Sequence, residues 1–174
     1  TFSEKEGTKI ISENEIDHKK AVTGIAYSKN NAKVSIVGVV DKPGVAADVF
    51  EPIGKNNINI DMVIQNTSLD GKTANITFTI KQEDLNKTLN IIEKNKKKIS
   101  YNKLTHNDKL AKVSIIGAGM IASPGVTYKM FRSLADEKIN ILAISTSEIK
   151  ISVLINEEFT QKAVKILHKT FGLD

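Results

Sequence analysis

The chain has 174 residues, 40% of them hydrophobic, enough for one ordinary domain or two small ones with a real core. It contains no cysteine, which excludes disulfide frameworks, thiol catalysis, zinc fingers and iron–sulfur sites together. The net charge of +5 comes from 25 basic against 20 acidic residues, but Arg132 is the only arginine and aromatics are 5%, so the forked donors and stacking platforms that nucleic acid requires are scarce.

No run approaches the ~18 uninterrupted apolar residues of a membrane span, and no charged-then-apolar leader precedes the first strand. A soluble, cytoplasmic chain without a membrane partner is expected. Thr1 stands where Met would start a protein, and Thr1 to Lys20 is unlike the remainder of the chain, as in a processed or excised piece. Ala21 to Tyr27 is strand-like with nothing local to pair with. Val34 to Val40 is nearly all apolar and β-branched, which predicts a strand buried on both faces or nearly so. Pro43 suits a first helical turn, and Val45, Val49, Phe50 and Ile53 at helical spacing predict the helix. Pro52 removes the bond to the Asp48 carbonyl, so a kink or early end is expected there. Ile58, Ile60, Met62 and Ile64 alternate with polar residues, Asp70-Gly71 signals a hairpin, and Ala74, Ile76, Phe78 and Ile80 alternate on the way back. Leu85, Leu89 and Ile92 mark a second helix, Lys94 to Lys98 its solvated end, and Ile99 to Leu104 a short closing strand.

The pattern then repeats. Ala32-Lys33-Val34-Ser35-Ile36-Val37-Gly38 returns as Ala111-Lys112-Val113-Ser114-Ile115-Ile116-Gly117, Pro43-Gly44-Val45 as Pro124-Gly125-Val126, and Ile58-Asn59-Ile60 as Ile139-Asn140-Ile141. An offset of roughly 80 residues is too long for a helical solenoid and suits a compact α+β module. The second copy reads as strand Val113 to Ala118, helix Val126 to Lys138, strands Ile139 to Thr146 and Ile149 to Ile155, and helix Glu157 to Phe171, with Asn156 as N-cap and Gly172 as stop. It lacks its sixth element, and the orphan Ala21 to Tyr27 segment can supply it. The expected fold is therefore α+β, two ferredoxin-like βαββαβ modules with the first (31–106) inserted in the second (21–28 plus 109–174), behind a leader (1–20).

That fold serves many functions. The strands expected at its centre present Val34, Ile36, Ile76 and Phe78 rather than RNA-binding aromatics and bases. His18, His106 and His168 show no triad or metal spacing, and Gly117 and Gly119 lack the Lys-Ser/Thr of a phosphate loop. The informative loop is Asp41-Lys42-Pro43-Gly44-Val45-Ala46. It enters a helix N-terminus, whose free amides suit a carboxylate, while Asp41 suits an ammonium group. Asn59, Asp61 and Gln65 follow at one period on the polar side of the next strand. The plainer reading, in which Asp41 opens a turn, Gly44 relieves crowding and Asn59 pairs with backbone, stays open on these residues.

The stretches Asp41 to Ala47, Asn57 to Asn66, Gly117-Ala118-Gly119-Met120 with Pro124-Gly125-Val126, and Ile144-Ser145-Thr146-Ser147-Glu148-Ile149-Lys150-Ile151-Ser152-Val153-Leu154-Ile155 closely resemble the tandem ACT-domain regulatory half of aspartate kinase. The similarity spans Ala21 to Phe171, and Gly7-Thr8-Lys9-Ile10 is similar to the end of a kinase domain. The resemblance implies an allosteric sensor giving feedback inhibition by lysine, threonine or both, with no catalytic residue and no metal of its own. ATP and Mg belong to the missing kinase domain or subunit, the chain's expected partner. The resemblance also implies a homodimer whose modules pair, with the effector between a first module and the partner's second. Carried over by position, Asp41, Ala46, Asn59, Ile60, Asp61 and Gln65 line the first-module side, and Thr127, Asn140 and Ile141 complete it. Ser68 and Thr77 stand near positions tied to effector response. An ACT sensor of another metabolic enzyme and a ligand-independent dimerisation module are the alternatives.

Overall fold

The computed structural model describes residues 20–69 and 71–173, so all of the expected leader but Lys20, Asp70 of the expected hairpin turn and His18 lie outside the described residues. The orphan segment and the first apolar run are not separate strands. They join as one strand, β1 (Gly24–Val40), 17 residues long. The chain next forms α1 (Val45–Gly54), β2 (Val63–Thr67), β3 (Thr73–Lys81), α2 (Leu85–Lys94) and a single further turn, α3 (Lys96–Ile99). A second long strand, β4 (Lys103–Ile116), comes next, and then α4 (Val126–Asp136), β5 (Ala143–Thr146), β6 (Lys150–Asn156) and α5 (Thr160–Phe171).

The strands form one antiparallel sheet in the order β2-β3-β1-β4-β6-β5. Its centre is the β1–β4 pair. Gly24–Ser28 lies opposite Ile116–Lys112, and Lys33–Val37 opposite Asn107–Lys103. The early segment thus completes the sheet of the C-terminal repeat, as the element count required. Two separate cores form on this sheet. One gathers Val34, Ile36, Val49, Ile53, Phe78 and Ile92, with Phe50 edge-on to Phe78 at 5.3 Å between ring centroids. The other gathers Val113, Ile115, Met130, Leu134, Val153 and Leu167. Between them each long strand passes through one left-handed residue, Asn30 (φ 57°) in β1 and Lys109 (φ 53°) in β4. The β1–β4 register shifts at the β1 bend, as at a bulge that redirects a strand. Asn31, nearly buried, pins that bend by donating its amide to the Ser28 carbonyl at 3.0 Å and the Leu110 carbonyl at 3.5 Å. The Asn30 amide donates to the Glu157 carboxylate at 3.0 Å.

Several local expectations change. Val34, Ile36, Ile76 and Phe78 face the helices, so the other face carries their alternating neighbours, with Ser35 and Thr77 hydroxyls 2.9 Å apart. α1 runs through Pro52 and ends two residues later at Gly54, and the Pro52 carbonyl accepts from Asn56 at 2.9 Å. Ile99 closes α3 instead of opening a strand, because its side chain is buried in the first core. The period-2 runs 58–64 and 139–146 are only partly ladder, which is confined to β2 and β5. Asn156 makes no side-chain cap, since a 3₁₀ turn (Glu157–Phe159) precedes α5, whereas Gly172 (φ 63°) does stop that helix. His106 sits in β4 rather than in a link.

The lysine run is not merely solvated. α3 carries Lys98 back onto α1, with Nζ 3.1 Å from Asp48 and 2.9 Å from Glu51. Lys55 reaches Glu51 from the other side at 2.7 Å. Hydrogen bonds from Lys55 and then Lys98 hold the Glu51 carboxyl down to about 2, from an ordinary value of 4.5. A depressed carboxyl contributes stability above its unfolded value and loses it as the pH falls through the folded one. Glu51→Gln should therefore be less stable than the wild type at neutral pH, with the gap closing between pH 4.5 and about 2 and shrinking in salt. Urea titrations across that range measure the gap. Gly117 tests the β1–β4 seam, because a Cβ there would collide with the Ala21 carbonyl. Gly117→Ala should cost about 1–3 kcal/mol, read as a lowered urea midpoint with an unchanged slope.

Candidate functional site

β1 ends at Val40 and the chain turns into α1 through Asp41-Lys42-Pro43-Gly44. Gly44 adopts φ 91°, ψ −6°, a backbone open to glycine, and the Val45 amide closes the turn onto the Lys42 carbonyl at 3.2 Å. No side chain caps α1. Its first-turn amides are therefore not consumed by a capping oxygen, and the helix presents a positive end to the loop. These backbone groups and the side chains of Asp41, Lys42, Ala46 and Gln65 line an open cleft of about 490 Å³. Asp41 is half-buried. Its amide donates to the Lys72 carbonyl at 3.0 Å, and its carboxylate accepts the Thr67 hydroxyl at 3.2 Å. The cleft beside Pro43 is thus bordered by a carboxylate and by the uncapped start of a helix, which is the pairing that both ends of an amino acid require.

The second copy repeats the backbone but not the chemistry. Gly125 has φ 89°, ψ −5°, α4 also lacks a side-chain cap, and a cleft of about 590 Å³ opens beside it. Its walls include Met120, Ile121, Thr127, Thr146, Ser147 and Glu148. The residue two before Pro124 is Ala122 where the first copy has Asp41 two before Pro43, so the second loop supplies no carboxylate.

Of the residues the sequence singled out, the first cleft collects Asp41, Ala46 and Gln65, and the second collects Thr127. Asn59, Ile60 and Asp61 line neither cleft. Asp61 pairs with the β3 backbone at Thr79 before β2 begins, while Asp41 meets Thr67 at the far end of β2. At ~3.4 Å per residue that separation is about 20 Å. Asn140 is exposed and Ile141 packs on the second core in the matching place before β5. One chain therefore does not bring the nine residues together. Ser68 ties the hairpin base, its hydroxyl donating to the Thr73 carbonyl at 2.8 Å, and Thr77 faces Ser35 rather than a cleft.

Two contributors escaped the sequence reading. Thr67 holds Asp41 and lies one strand period beyond Gln65, a signal that was present. Lys112 of β4 forms an ion pair with Asp61 across 51 residues of sequence, and no local pattern announces it. His106 is exposed in β4 and His168 lies in α5. Among the described residues no group of three His, Asp or Glu side chains could hold a metal ion, and no helix is long and apolar enough to cross a membrane. Because both glycines that open the clefts have positive φ, Gly44→Ala and Gly125→Ala should each cost about 1–2 kcal/mol. Equal losses in chemical denaturation are expected, since the two turns superpose in φ and ψ.

The model of the ACT domain family matches residues 34–95 and 113–171. Aspartate kinase from Pseudomonas putida is 42% identical over 175 residues, covering 100% of this chain, and the chain spans 42% of that protein's length. Among solved structures, one of aspartokinase alpha and beta subunits has a chain 44% identical with a TM-score of 0.80, the match covering 87% of this chain and 99% of that one. The regulatory subunit of aspartate kinase from Thermus thermophilus, in its ligand-free form, is 35% identical with a TM-score of 0.79 over 87% of this chain and 99% of its own.

Proposed function

This chain belongs to the ACT-domain family, in the tandem form that makes up the regulatory region of aspartate kinases, and on that premise we propose that it binds lysine, threonine or both and relays feedback inhibition to an aspartate kinase catalytic domain or subunit. The observation that supports this most is the first cleft, where Asp41 and the uncapped start of α1 face one open space. A zwitterion satisfies both. In a homodimer whose modules pair, Asn140 and Ile141 of one chain complete the cleft of Asp41, Ala46 and Gln65 on the other, while Thr127 stays in the wall of the second cleft. Asn59, Ile60 and Asp61 hold on the first module the place of Asn140 and Ile141 on the second, so the same pairing sets them against the second cleft. The separation of these groups within one chain favours a site shared between chains.

On this reading regulation needs no reactive group. The effector binds one arrangement of the paired modules better than another, and that difference, typically about 1–3 kcal/mol, is what the catalytic part receives. ATP and Mg act on that catalytic part, in the cytoplasm. Calorimetric titration of the chain with lysine and threonine separately should give a saturable signal for at least one of them, with a raised melting temperature. Asp41→Ala should weaken binding about tenfold or more, the loss of a charge-assisted contact, with the fold intact by circular dichroism. A flat thermal response to all the common amino acids would sink the proposal.

A further inference from the structure

Resting on the reading of the Asp41 cleft above, we propose that Thr67 is a positioning residue. Its hydroxyl sets the Asp41 carboxylate for a ligand's α-ammonium group, so the β2–β3 hairpin gives the first cleft its preference for a free amino group.

Thr67 is the last residue of β2, opposite Ala74 of β3. Its Oγ1 donates to Asp41 Oδ2 at 3.2 Å, and among the described residues nothing hydrogen-bonds Oδ1. One carboxylate oxygen is thereby fixed and the other left for a ligand. The same hairpin holds the Asp41 backbone, since Lys72 O accepts the Asp41 amide at 3.0 Å. Its base is closed by the Ser68 amide on Thr73 O at 2.7 Å and by the Thr73 amide on the Ser68 hydroxyl at 3.1 Å. Asp41 is thus held by amide and by carboxylate from one hairpin. A loop carboxylate free to rotate would have to be ordered by the ligand, and presetting it removes that cost. The uncapped helix start accepts any carboxylate, so it cannot tell an amino acid from the corresponding hydroxy acid. Only Asp41 can, and only when it is aimed. The second copy lacks the device, because its hairpin closes sooner, with the Ser147 amide on Lys150 O at 2.8 Å, and Ala122 replaces the carboxylate.

The test titrates the whole chain with threonine and lysine, and with 2,3-dihydroxybutanoate and 6-amino-2-hydroxyhexanoate, their α-hydroxy counterparts. Thr67→Val keeps a β-branched, strand-compatible shape and removes only the hydroxyl. It should weaken amino-acid binding about fivefold, within the usual range for a hydrogen bond to a charged group, while the hydroxy acids bind as to the wild type. Thr67→Ser should restore the amino-acid affinity, and the melting temperatures of all three proteins should agree within about 2 °C. Two results would overturn the role of Thr67: Thr67→Val binding amino acids like the wild type while Asp41→Ala does not, or an equal loss for amino and hydroxy acids. Wild type binding none of the four compounds would instead remove the site reading, and the role of Thr67 with it.

Discussion

Two strands lying side by side, each serving both halves of the molecule, hold this structure together. β1 and β4 run antiparallel from Gly24 opposite Ile116 to Val37 opposite Lys103. Neither repeat can complete its sheet without the other's long strand, so the backbone hydrogen bonds of the two cores are shared although their side chains are not. Just beyond the end of the seam there is no room for bulk, since a Cβ on Gly117 would collide with the Ala21 carbonyl. The seam also has to bend. Asn30 and Lys109 take the left-handed backbone there, and the Asn31 amide and Glu157 carboxylate satisfy the groups that the bend frees from the ladder.

On that shared frame the same backbone event occurs twice. A long strand ends, a glycine with φ near 90° turns the chain, and a helix begins without a side-chain cap. An uncapped helix start leaves polar groups exposed to the adjoining space, and both turns border open clefts. What differs is the side chain two residues before the proline and the length of the facing hairpin. The first copy has a carboxylate gripped by its hairpin, and the second has alanine and a tighter turn carrying Glu148. Duplication made the scaffold, and substitution at a few positions set the chemistry of each cleft.

The outer strands have a separate consequence. β2 and β5 are the two free edges of the sheet, both short, and each exposes an apolar residue, Val63 at 51% and Ile144 at 41%. Open edges with apolar side chains are surfaces that favour pairing. Their position beside the two clefts is compatible with a ligand site completed by a second chain.

The sequence by itself determined the repeat, the two modules and the need of the C-terminal one for an early strand, because hydrophobic period and element count are local properties of the chain. It also singled out Asp41, since a carboxylate before a helix start offers an ammonium group a partner, but left open the plainer role of opening a turn. The fusion of four expected strands into β1 and β4, the turning of Lys98 onto α1, and the ion pair of Asp61 with Lys112 were decided only by tertiary structure. The separation of Asn59, Ile60 and Asp61 from Asp41 was decided there too, at opposite ends of one edge strand. Each of these depends on which distant segments the sheet order sets side by side, and a linear pattern of apolar and polar residues carries no record of that proximity.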